Sequence, residues 1–397
     1  MTHKKLAIIG ASYLQVPLIE KAKDMGLETH VFAWGSGDIG EKLADNFYPI
    51  SIIEKEAILE KCKELKIDGI CSIASDLAAI TVNYVAANMG LTGNSLESCY
   101  MSTNKHAMRT CFEKNGDPSP QSYLVSSAGD LTGKEICYPV IVKPVDRSGS
   151  RGITKVENAT YLQDAIEAAK GQAFEKTALV EEFVTGQEYS VECISWQGKH
   201  HFLTLTKKYT TGAPHFVETG HLEPAPVLES TLEEIKAVTY HALDSLKIRN
   251  GASHTELKIT ENGTIKLIEI GGRMGGDCIG SDLVQLSTGI DFVRAVIEIA
   301  LDQEPILQKK SSGTAAAIRF ICSEEDILAL KEVKGQHPEY IVREECSQNP
   351  FNIKIIDSAS RPGYYLLCAD NAELLEQYMP QTEDNYKFNQ SEQREGE

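Results

Sequence analysis

The sequence predicts a chain of mixed α/β and α+β class that folds as several packed units. A length of 397 residues is too great for one ordinary hydrophobic core, so two or three units are expected. Near the N-terminus, apolar strand-like runs alternate with helix-like runs, which is typical of a parallel sheet. Later in the chain, neighbouring strand-like runs are joined by short turns, which is typical of antiparallel hairpins.

The N-terminal unit, assigned to residues 1–115, carries the alternating pattern. Its first turn, from Gly10 to Gln15, has only the first glycine of the G-x-G-x-x-G dinucleotide fingerprint, so a nicotinamide site is not predicted. The expected strands and helices of this unit are, in chain order, Lys5–Gly10, Leu14–Met25, Glu28–Ala33, Glu54–Leu65, Gly69–Ile73, Leu77–Met89 and Ala107–Lys114.

Composition excludes several classes of protein. A formal net charge of −18 argues against nonspecific binding to nucleic acid, and an anionic substrate would need a local basic pocket. The ten cysteines form no C-x-x-C pair, which favours reduced thiols in a cytoplasmic protein and argues against a structural zinc site. The apolar run after the N-terminal lysines is too short for a signal peptide or a membrane span.

A loop rich in glycine and serine follows the next predicted strand. A Gly-Asp-Pro-Ser-Pro break at residues 116–120 indicates a unit boundary. Beyond it, Tyr138–Val142 leads into Lys143, and the loop then reaches a strand at Ile153–Val156. Such a loop can lie over phosphates as a flap that donates backbone N–H groups, or it can be an ordinary hairpin loop. Its candidate residues are Ser148, Gly149, Ser150, Arg151 and Gly152.

The second half of the chain is predicted to contain hairpins, amphipathic helices and a C-terminal lobe. Ser230 and Glu233 form a capping-box pattern before the helix Thr231–Leu246, and residues 381–397 are expected to be disordered. The other expected elements are Tyr161–Ala169, Ala178–Val184, Tyr189–Ser195, His201–Lys207, Asp282–Leu286, Asp291–Ala300, Thr314–Cys322, Tyr340–Arg343, Asn352–Ile356, Tyr364–Cys368 and Ala372–Met379.

Two strand-like runs, Ser253–Thr260 and Thr264–Ile270, flank Asn262-Gly263, which predicts a two-residue type I′ hairpin. Such a turn would place Glu256 directly opposite Glu269 on the wet face. The opposite face would belong to the core, through Leu257, Ile259, Ile268 and Ile270.

Opposed carboxylates need a compensating cation, because their Cβ atoms are roughly 5 Å apart across a strand pair. Mg²⁺ binds through one or two carboxylates together with substrate phosphates. An exposed hairpin whose glutamates point into water is the alternative. Arg273 and the flexible Gly275-Gly276, which follow on the same wet face, favour a binding site.

These motifs resemble the ATP-grasp superfamily over roughly residues 95–310, and the N-terminal unit resembles its preATP-grasp domain. The resemblance divides the rest into a small lid subdomain (116–185), a large subdomain with the metal site (186–310) and a C-terminal α+β lobe (311–380). The motifs that carry it are Lys105, Lys143 with its loop, Glu181-Glu182-Phe183-Val184, Glu188, and Glu256 with Glu269. A closer likeness to ligases that join L-amino acids into dipeptides rests on Ser253-His254-Thr255-Glu256, the segment 218–224, and Glu269 with Arg273-Met274-Gly275-Gly276-Asp277.

The resemblance implies a role for each of these residues. Lys105 and Lys143 would contact ATP phosphates, Glu181 the adenine amino group, and Glu188 the ribose. The backbone around Glu182, Phe183 and Val184 would read the adenine edge. Glu256 and Glu269 would ligate one or two Mg²⁺ or Mn²⁺ ions, Arg273 would hold the γ-phosphate and acyl phosphate, and Glu218, His221 and His254 would contact substrate.

The chain departs from the family at Gly271, where an asparagine usually gives a third metal ligand. The implied activity is ATP-dependent ligation of a small-molecule carboxylate to an amine through an acyl phosphate. Two alternatives remain open: a purine-pathway or biotin-carboxylase-like enzyme that activates formate or bicarbonate, and a non-catalytic ATP-binding homologue. No nucleic acid or membrane partner is expected, and a homodimer is left open.

Overall fold

The computed structural model describes residues 3–147, 149, 151–213, 216–308, 314–347, 355 and 357–380. Within these ranges the chain forms a four-stranded parallel sheet, a four-stranded antiparallel sheet and an eight-stranded antiparallel sheet. The predicted mixture of parallel α/β and antiparallel α+β structure is therefore confirmed. No helix in the described ranges is both long and apolar enough to cross a membrane.

The parallel sheet comes first in the chain. Its strands are β1 (Lys5–Ile9), β2 (Glu28–Phe32), β3 (Asn46–Tyr48) and β4 (Gly69–Cys71). The helices around it are α1 (Val16–Asp24), α2 (Ile39–Leu43), α3 (Lys55–Leu65), α4 (Asp76–Met89), α5 (Leu96–Thr103) and α6 (Lys105–Asn115). The strand order β3-β2-β1-β4 changes direction between β1 and β4, and open sheets of this type bind ligands at the carboxyl ends of such strands.

The lid sheet has strand order β5-β8-β6-β7 and packs one face against a helix. Its strands are β5 (Ser122–Val125), β6 (Val140–Pro144), β7 (Thr154–Val156) and β8 (Ala178–Glu182), and its helix is α7 (Leu162–Gln172). Val142 and Val180 of the sheet and Ile166 of the helix are fully buried in this small core. The other face of the lid sheet is left for the cavity described below.

The eight-stranded sheet takes strands from both the 186–310 and 311–380 units, because Gly220 to Glu223 pair with strand residues beyond 311. Its strands are β9 (Gln187–Trp196), β10 (Lys199–Thr210), β11 (Glu218–Glu223), β12 (Gly251–Ile259), β13 (Ile265–Gly271), β14 (Ala315–Phe320), β15 (Ile341–Cys346) and β16 (Gly363–Ala369). The helices that cover it are α8 (Glu229–Ser245), α9 (Val284–Thr288), α10 (Phe292–Ala300), α11 (Glu324–Gln336) and α12 (Ala372–Glu376), with a π-helical turn at Ile279–Leu283.

The β12–β13 hairpin has the predicted acidic pair but not the predicted turn. Ile259 pairs with Ile265, so the loop is longer than two residues, and only Gly263 of its Asn-Gly dipeptide has a positive φ. A type I′ turn needs positive φ at both central residues. A bulge between Glu256 and Leu257 then shifts the register by one residue and restores the pairing of Glu256 with Glu269.

The same bulge corrects the predicted core face of this hairpin. Leu267, not Ile268, pairs with Leu257 and is fully buried, whereas Ile268 is only partly buried and lines a cavity. An extra residue in one strand reverses the side-chain alternation from that point.

Two helices differ from expectation. Helix α8 begins at Glu229, so Ser230 has helical backbone and cannot cap the helix; no side chain caps its N-terminus. Helix α11 was not predicted, although Ser323 and Asp326 form a capping box at its start, which is a sequence-level signal. The predicted strand Asn352–Ile356 and the predicted disordered tail 381–397 lie outside the described residues, Ile355 apart.

Candidate active site

A cavity of about 170 Å³ lies between the lid sheet and the eight-stranded sheet, and most of the sequence-predicted residues line it. We call it the first cavity. Its wall includes Lys105, Lys143, Gly149, Glu181, Glu182, Phe183, Val184, Glu188, Glu218, His254, Glu256, Glu269, Gly271 and Arg273. Residues from four separate stretches of sequence thus converge on one space, although they lie up to about 170 positions apart.

Glu181 lies in a buried ion-pair cluster with two cations. Lys143 Nζ is 2.6 Å from Glu181 Oε2, and Arg109 donates from Nε to Glu181 Oε1 at 2.8 Å and from Nη2 to Oε2 at 3.2 Å. Burial works to raise the pKa of Glu181, but Arg109 and Lys143 outweigh it and lower the pKa to about 2. Both carboxylate oxygens of Glu181 are therefore occupied by protein cations.

Arg109 was missed by the sequence reasoning, although a signal was present. It lies four residues after Lys105 on α6, so the two side chains share one helix face. Arg109 Nη2 also donates to the carbonyl oxygen of Ile268 at 2.6 Å, which ties helix α6 to the bulge of the hairpin. Arg109 thus connects α6, the lid sheet and the hairpin.

Each member of the opposed acidic pair is held by a lysine. Lys105 Nζ is 2.7 Å from Glu269 Oε1, and Lys208 Nζ is 2.7 Å from Glu256 Oε1 and 3.0 Å from Glu188. Burial alone would lower the pKa of Lys208, but Glu256 and Glu188 raise it well above its ordinary value. Lys208 was not predicted as a site residue, because nothing in its local sequence marks it.

The acidic pair fits a magnesium ion that takes its other ligands from phosphate and water. Both lysines contact Oε1, so the Oε2 atoms of Glu256 and Glu269 have no side-chain partner among the residues that the structure describes. Mg²⁺ commonly binds through one or two carboxylates and keeps several waters. No set of three or more His, Cys, Asp or Glu side chains in the described ranges is arranged to hold a metal ion.

A second cavity of about 250 Å³ adjoins the first and shares Glu218, His254, Glu256 and Arg273 with it. Its remaining wall comes from the carboxyl ends of β1 and β4 and from the C-terminal lobe: Tyr13, Leu14, Ala74, Asp76, Gly149, Arg151, Lys208, His221, Gly276, Asp277, Ile279, Asp357, Ser358 and Arg361. Two adjoining chambers with a common charged wall can hold two reactants side by side.

The four predicted catalytic residues all line the second cavity, but each has a protein partner. Arg273 donates to Asp76, Ser358 donates to Glu218, and His221 Nε2 lies 3.5 Å from Asp277. His254 Nδ1 pairs with the fully buried Glu192. Burial tends to lower the pKa of the His254 imidazole, but Glu192 outweighs it and raises the pKa to about 9.

The far end of the second cavity is formed by an ion pair that sequence reasoning missed. Arg361 of the C-terminal lobe donates from Nη1 to Asp277 Oδ2 at 2.9 Å, and its guanidinium lies 3.5 Å from the ring centre of Phe320. Asp277 stood in a recognised motif, but its partner is 84 positions away. The C-terminal lobe therefore contributes directly to this chamber.

The predicted flap loop reaches both cavities only in part. Gly149 lines both cavities, Arg151 lines the second, and Gly152 lines neither of them. Gly152 has a φ of +70°, and a Cβ atom there would lie 3.1 Å from the ring of Pro144. Glycine at this position is thus required by backbone conformation and close packing. Ser148 and Ser150 lie outside the described residues.

A buried acid beneath the site predicts a pH-dependent stability. Glu223 is fully buried and accepts hydrogen bonds from Thr206 and Ser287, and burial raises its pKa to about 8. Between its ordinary pKa of 4.5 and 8, the folded chain keeps a proton that the unfolded chain releases. Stability should therefore fall as pH rises through this window, by at most about 1.4 kcal/mol per pH unit.

We expect the Glu223→Gln variant to lose this slope and to gain stability relative to the wild type as pH rises from 5 to 8. Urea unfolding at several pH values measures the difference between the two proteins. Glu304→Gln, at an exposed site, should leave the slope unchanged. A wild-type slope equal to that of Glu223→Gln would show that Glu223 is ionised in the folded protein.

Comparisons with known proteins agree with this geometry. Residues 136–282 match the model of an ATP-grasp domain. The chain is 28% identical over 272 residues to an uncharacterised protein, y4rH, of Sinorhizobium fredii, and 26% identical over 315 residues to the alanine–anticapsin ligase of Bacillus subtilis. These matches cover 67% and 68% of this chain, but only 55% and 66% of the two relatives.

The structure also resembles the crystal structure of an L-amino acid ligase from Bacillus licheniformis. The TM-score is 0.81 at 25% identity, and the match covers 95% of this chain and 96% of that one. The domain match, the sheet topology and this similarity agree with one another. The chain is an ATP-grasp domain protein with the ATP-grasp fold.

Proposed function

We propose that the protein is an ATP-dependent carboxylate–amine ligase that joins amino acids through an acyl phosphate and releases ADP and phosphate. The observation that carries this proposal is the pair of adjoining cavities with a common wall of Glu218, His254, Glu256 and Arg273. One cavity has the cations and acidic pair suited to a nucleotide, and the other has room for the reactants. The similarity to amino acid ligases supports amino acids as the substrate class.

ATP would occupy the first cavity. Lys105 and Lys143 would contact its phosphates, and the backbone from Glu182 to Val184 would read the adenine edge. Glu188 would accept from the ribose hydroxyls. Since Arg109 and Lys143 occupy both oxygens of Glu181, its contact with the adenine amino group would be shared with these cations.

Glu256 and Glu269 would hold one or two Mg²⁺ ions, with Mn²⁺ as a substitute. The ion would supply positive charge that neutralises the phosphate oxygens during transfer. The two carboxylates and their lysines fix the position of that charge before substrate arrives. Positioning and electrostatic stabilisation account for most of phosphoryl-transfer catalysis, so little side-chain chemistry is required.

The reaction would proceed in two steps. A carboxylate oxygen of the first substrate attacks the γ-phosphorus of ATP, the bond to the β,γ-bridging oxygen breaks, and ADP leaves as an acyl phosphate forms. The amine nitrogen of the second substrate then attacks the acyl carbon, loses a proton, and displaces phosphate with the electron pair of the C–O bond. Arg273 would hold the transferred phosphate, and Glu218, His221 and His254 would contact the substrates.

Water would compete with the amine for the acyl phosphate. The loop that contains Gly149, Arg151 and Gly152 would cover the reactants, with Gly149 placed at the boundary of both cavities. Excluding water from the site would protect the intermediate from hydrolysis. Ser148 and Ser150 would belong to the same flap.

Release of ADP and phosphate on a substrate panel tests the proposal. The purified chain with Mg²⁺ and ATP is supplied with single amino acids, pairs of amino acids, bicarbonate or formate, and products are identified by mass spectrometry. We expect ADP, phosphate and a dipeptide in equal amounts for some amino acid pairs. ADP formed with bicarbonate or formate but with no amino acid would contradict amino acid ligation, and ATP binding without turnover would identify a non-catalytic homologue.

A further inference from the structure

An ion pair connects the N-terminal unit to the phosphate end of the proposed active site. Asp76 is the first residue of helix α4, which follows the carboxyl end of strand β4. Its Oδ1 accepts from Arg273 Nε at 2.8 Å and its Oδ2 accepts from Arg273 Nη2 at 3.1 Å. Both side chains are 17% exposed, and both line the second cavity.

This two-point contact determines which edge of the Arg273 guanidinium remains available. A guanidinium has five N–H donors in a fixed fork. Nε and Nη2 each donate once to Asp76, and Nη1 donates to the carbonyl oxygen of Met274 at 3.3 Å. One N–H on each terminal nitrogen remains beyond these three bonds. Since Arg273 lines both cavities, these donors are positioned where the cavities adjoin.

Gly271 provides the space for this ion pair. A Cβ atom at Gly271 would lie 3.1 Å from Asp76 Oδ1 and 3.2 Å from both Cζ and Nε of Arg273. Contacts this short require a neighbour to move, so a side chain at position 271 and the observed ion pair are incompatible as placed. The glycine that departs from the family pattern is thus coupled to an acid on the N-terminal unit.

We propose that Asp76 is a positioning residue that orients Arg273 toward the γ-phosphate, and that Gly271 is present because any larger residue would displace the pair. The inference rests on the proposed function, in which Arg273 holds that phosphate. A fixed guanidinium loses less freedom when it binds phosphate than a mobile one does. Misplacement by about 1 Å can reduce a rate by about 10²-fold.

Nucleotide affinity tests this role without knowledge of the substrates. Calorimetry with Mg²⁺ gives the Kd of ADP and of the non-hydrolysable β,γ-imido analogue of ATP, and their ratio reports contacts to the γ-phosphate. We expect Asp76→Asn and Gly271→Ala each to reduce the wild-type preference for the analogue by about tenfold, since a charge-assisted hydrogen bond is lost or misplaced. The Kd of ADP should change less than about twofold.

Gly272→Ala is the matched control, because a Cβ atom there meets Ser102 Oγ at 3.3 Å and does not approach the ion pair. It should keep the wild-type ratio. The double variant Asp76→Asn/Arg273→Lys should be no worse than Arg273→Lys alone, since Asp76 acts through Arg273. Independent effects that multiply in the double variant would overturn the proposal.

An unchanged ratio in Asp76→Asn would also overturn it, as would a change confined to the KM of the amine. If Asp76→Asn does not fold, as judged by thermal unfolding, Gly271→Ala carries the test by itself. Should the wild type form no ADP with any carboxylate, the ligase proposal fails. The affinity ratio still decides whether Asp76 orients Arg273.

Discussion

Replacement of either opposed carboxylate, Glu256→Gln or Glu269→Gln, is expected to lower ADP formation by about 10²–10³-fold, the usual cost of removing one charge-stabilising group. Glutamine keeps the size of the side chain but removes the negative charge that would hold Mg²⁺. It also leaves Lys208 or Lys105 without its carboxylate. Initial rates of ADP release at increasing Mg²⁺ measure the effect, and a higher Mg²⁺ requirement should accompany the loss.

The exposed Glu261 in the loop of the same hairpin provides the control for these variants. Glu261→Gln changes the net charge equally but lies away from the cavity, so its rate should match that of the wild type. Full activity in both Glu256→Gln and Glu269→Gln would rule out the hairpin as the metal-binding element. Equal loss of activity in Glu261→Gln would point to an effect of net charge instead.

Glu181→Ala is expected to destabilise the folded protein by about 3–5 kcal/mol, because it leaves Arg109 and Lys143 buried without their shared carboxylate. Urea unfolding followed by circular dichroism measures the change. Its neighbour Glu182, which is exposed, is the matched control, and Glu182→Ala should cost far less. Similar losses for the two variants would mean that the buried cluster adds nothing beyond a surface ion pair.

The same cluster predicts the acid side of the stability profile. Burial opposes ionisation of Glu181, but Arg109 and Lys143 lower its pKa from 4.5 to about 2. A lowered folded-state pKa stabilises the fold above the unfolded value, and this contribution is lost as pH falls from about 5 to about 2. The stability difference between wild type and Glu181→Ala should therefore shrink over that range. A constant difference would contradict the ionised state of Glu181.

Several features of the protein were determined by local sequence. Buried apolar runs that alternate with amphipathic helices predicted the parallel sheet, because side-chain periodicity follows backbone geometry. The order of Lys105, Lys143, Glu181 and Glu188 predicted which residues meet in the first cavity. The pairing of Glu256 with Glu269 was also correct, although the two-residue turn was wrong and a bulge compensated for it.

The tertiary structure alone decided the partners of these residues. Asp76 pairs with Arg273 across 197 positions, and Lys208 reaches Glu256 from a strand that is not its sheet neighbour. Periodicity reports which face of an element is buried, but not which distant element covers it. The choice of partner depends on how whole sheets pack. The sequence alone therefore determined the class of fold and most of the candidate site, whereas packing decided how its charges are held.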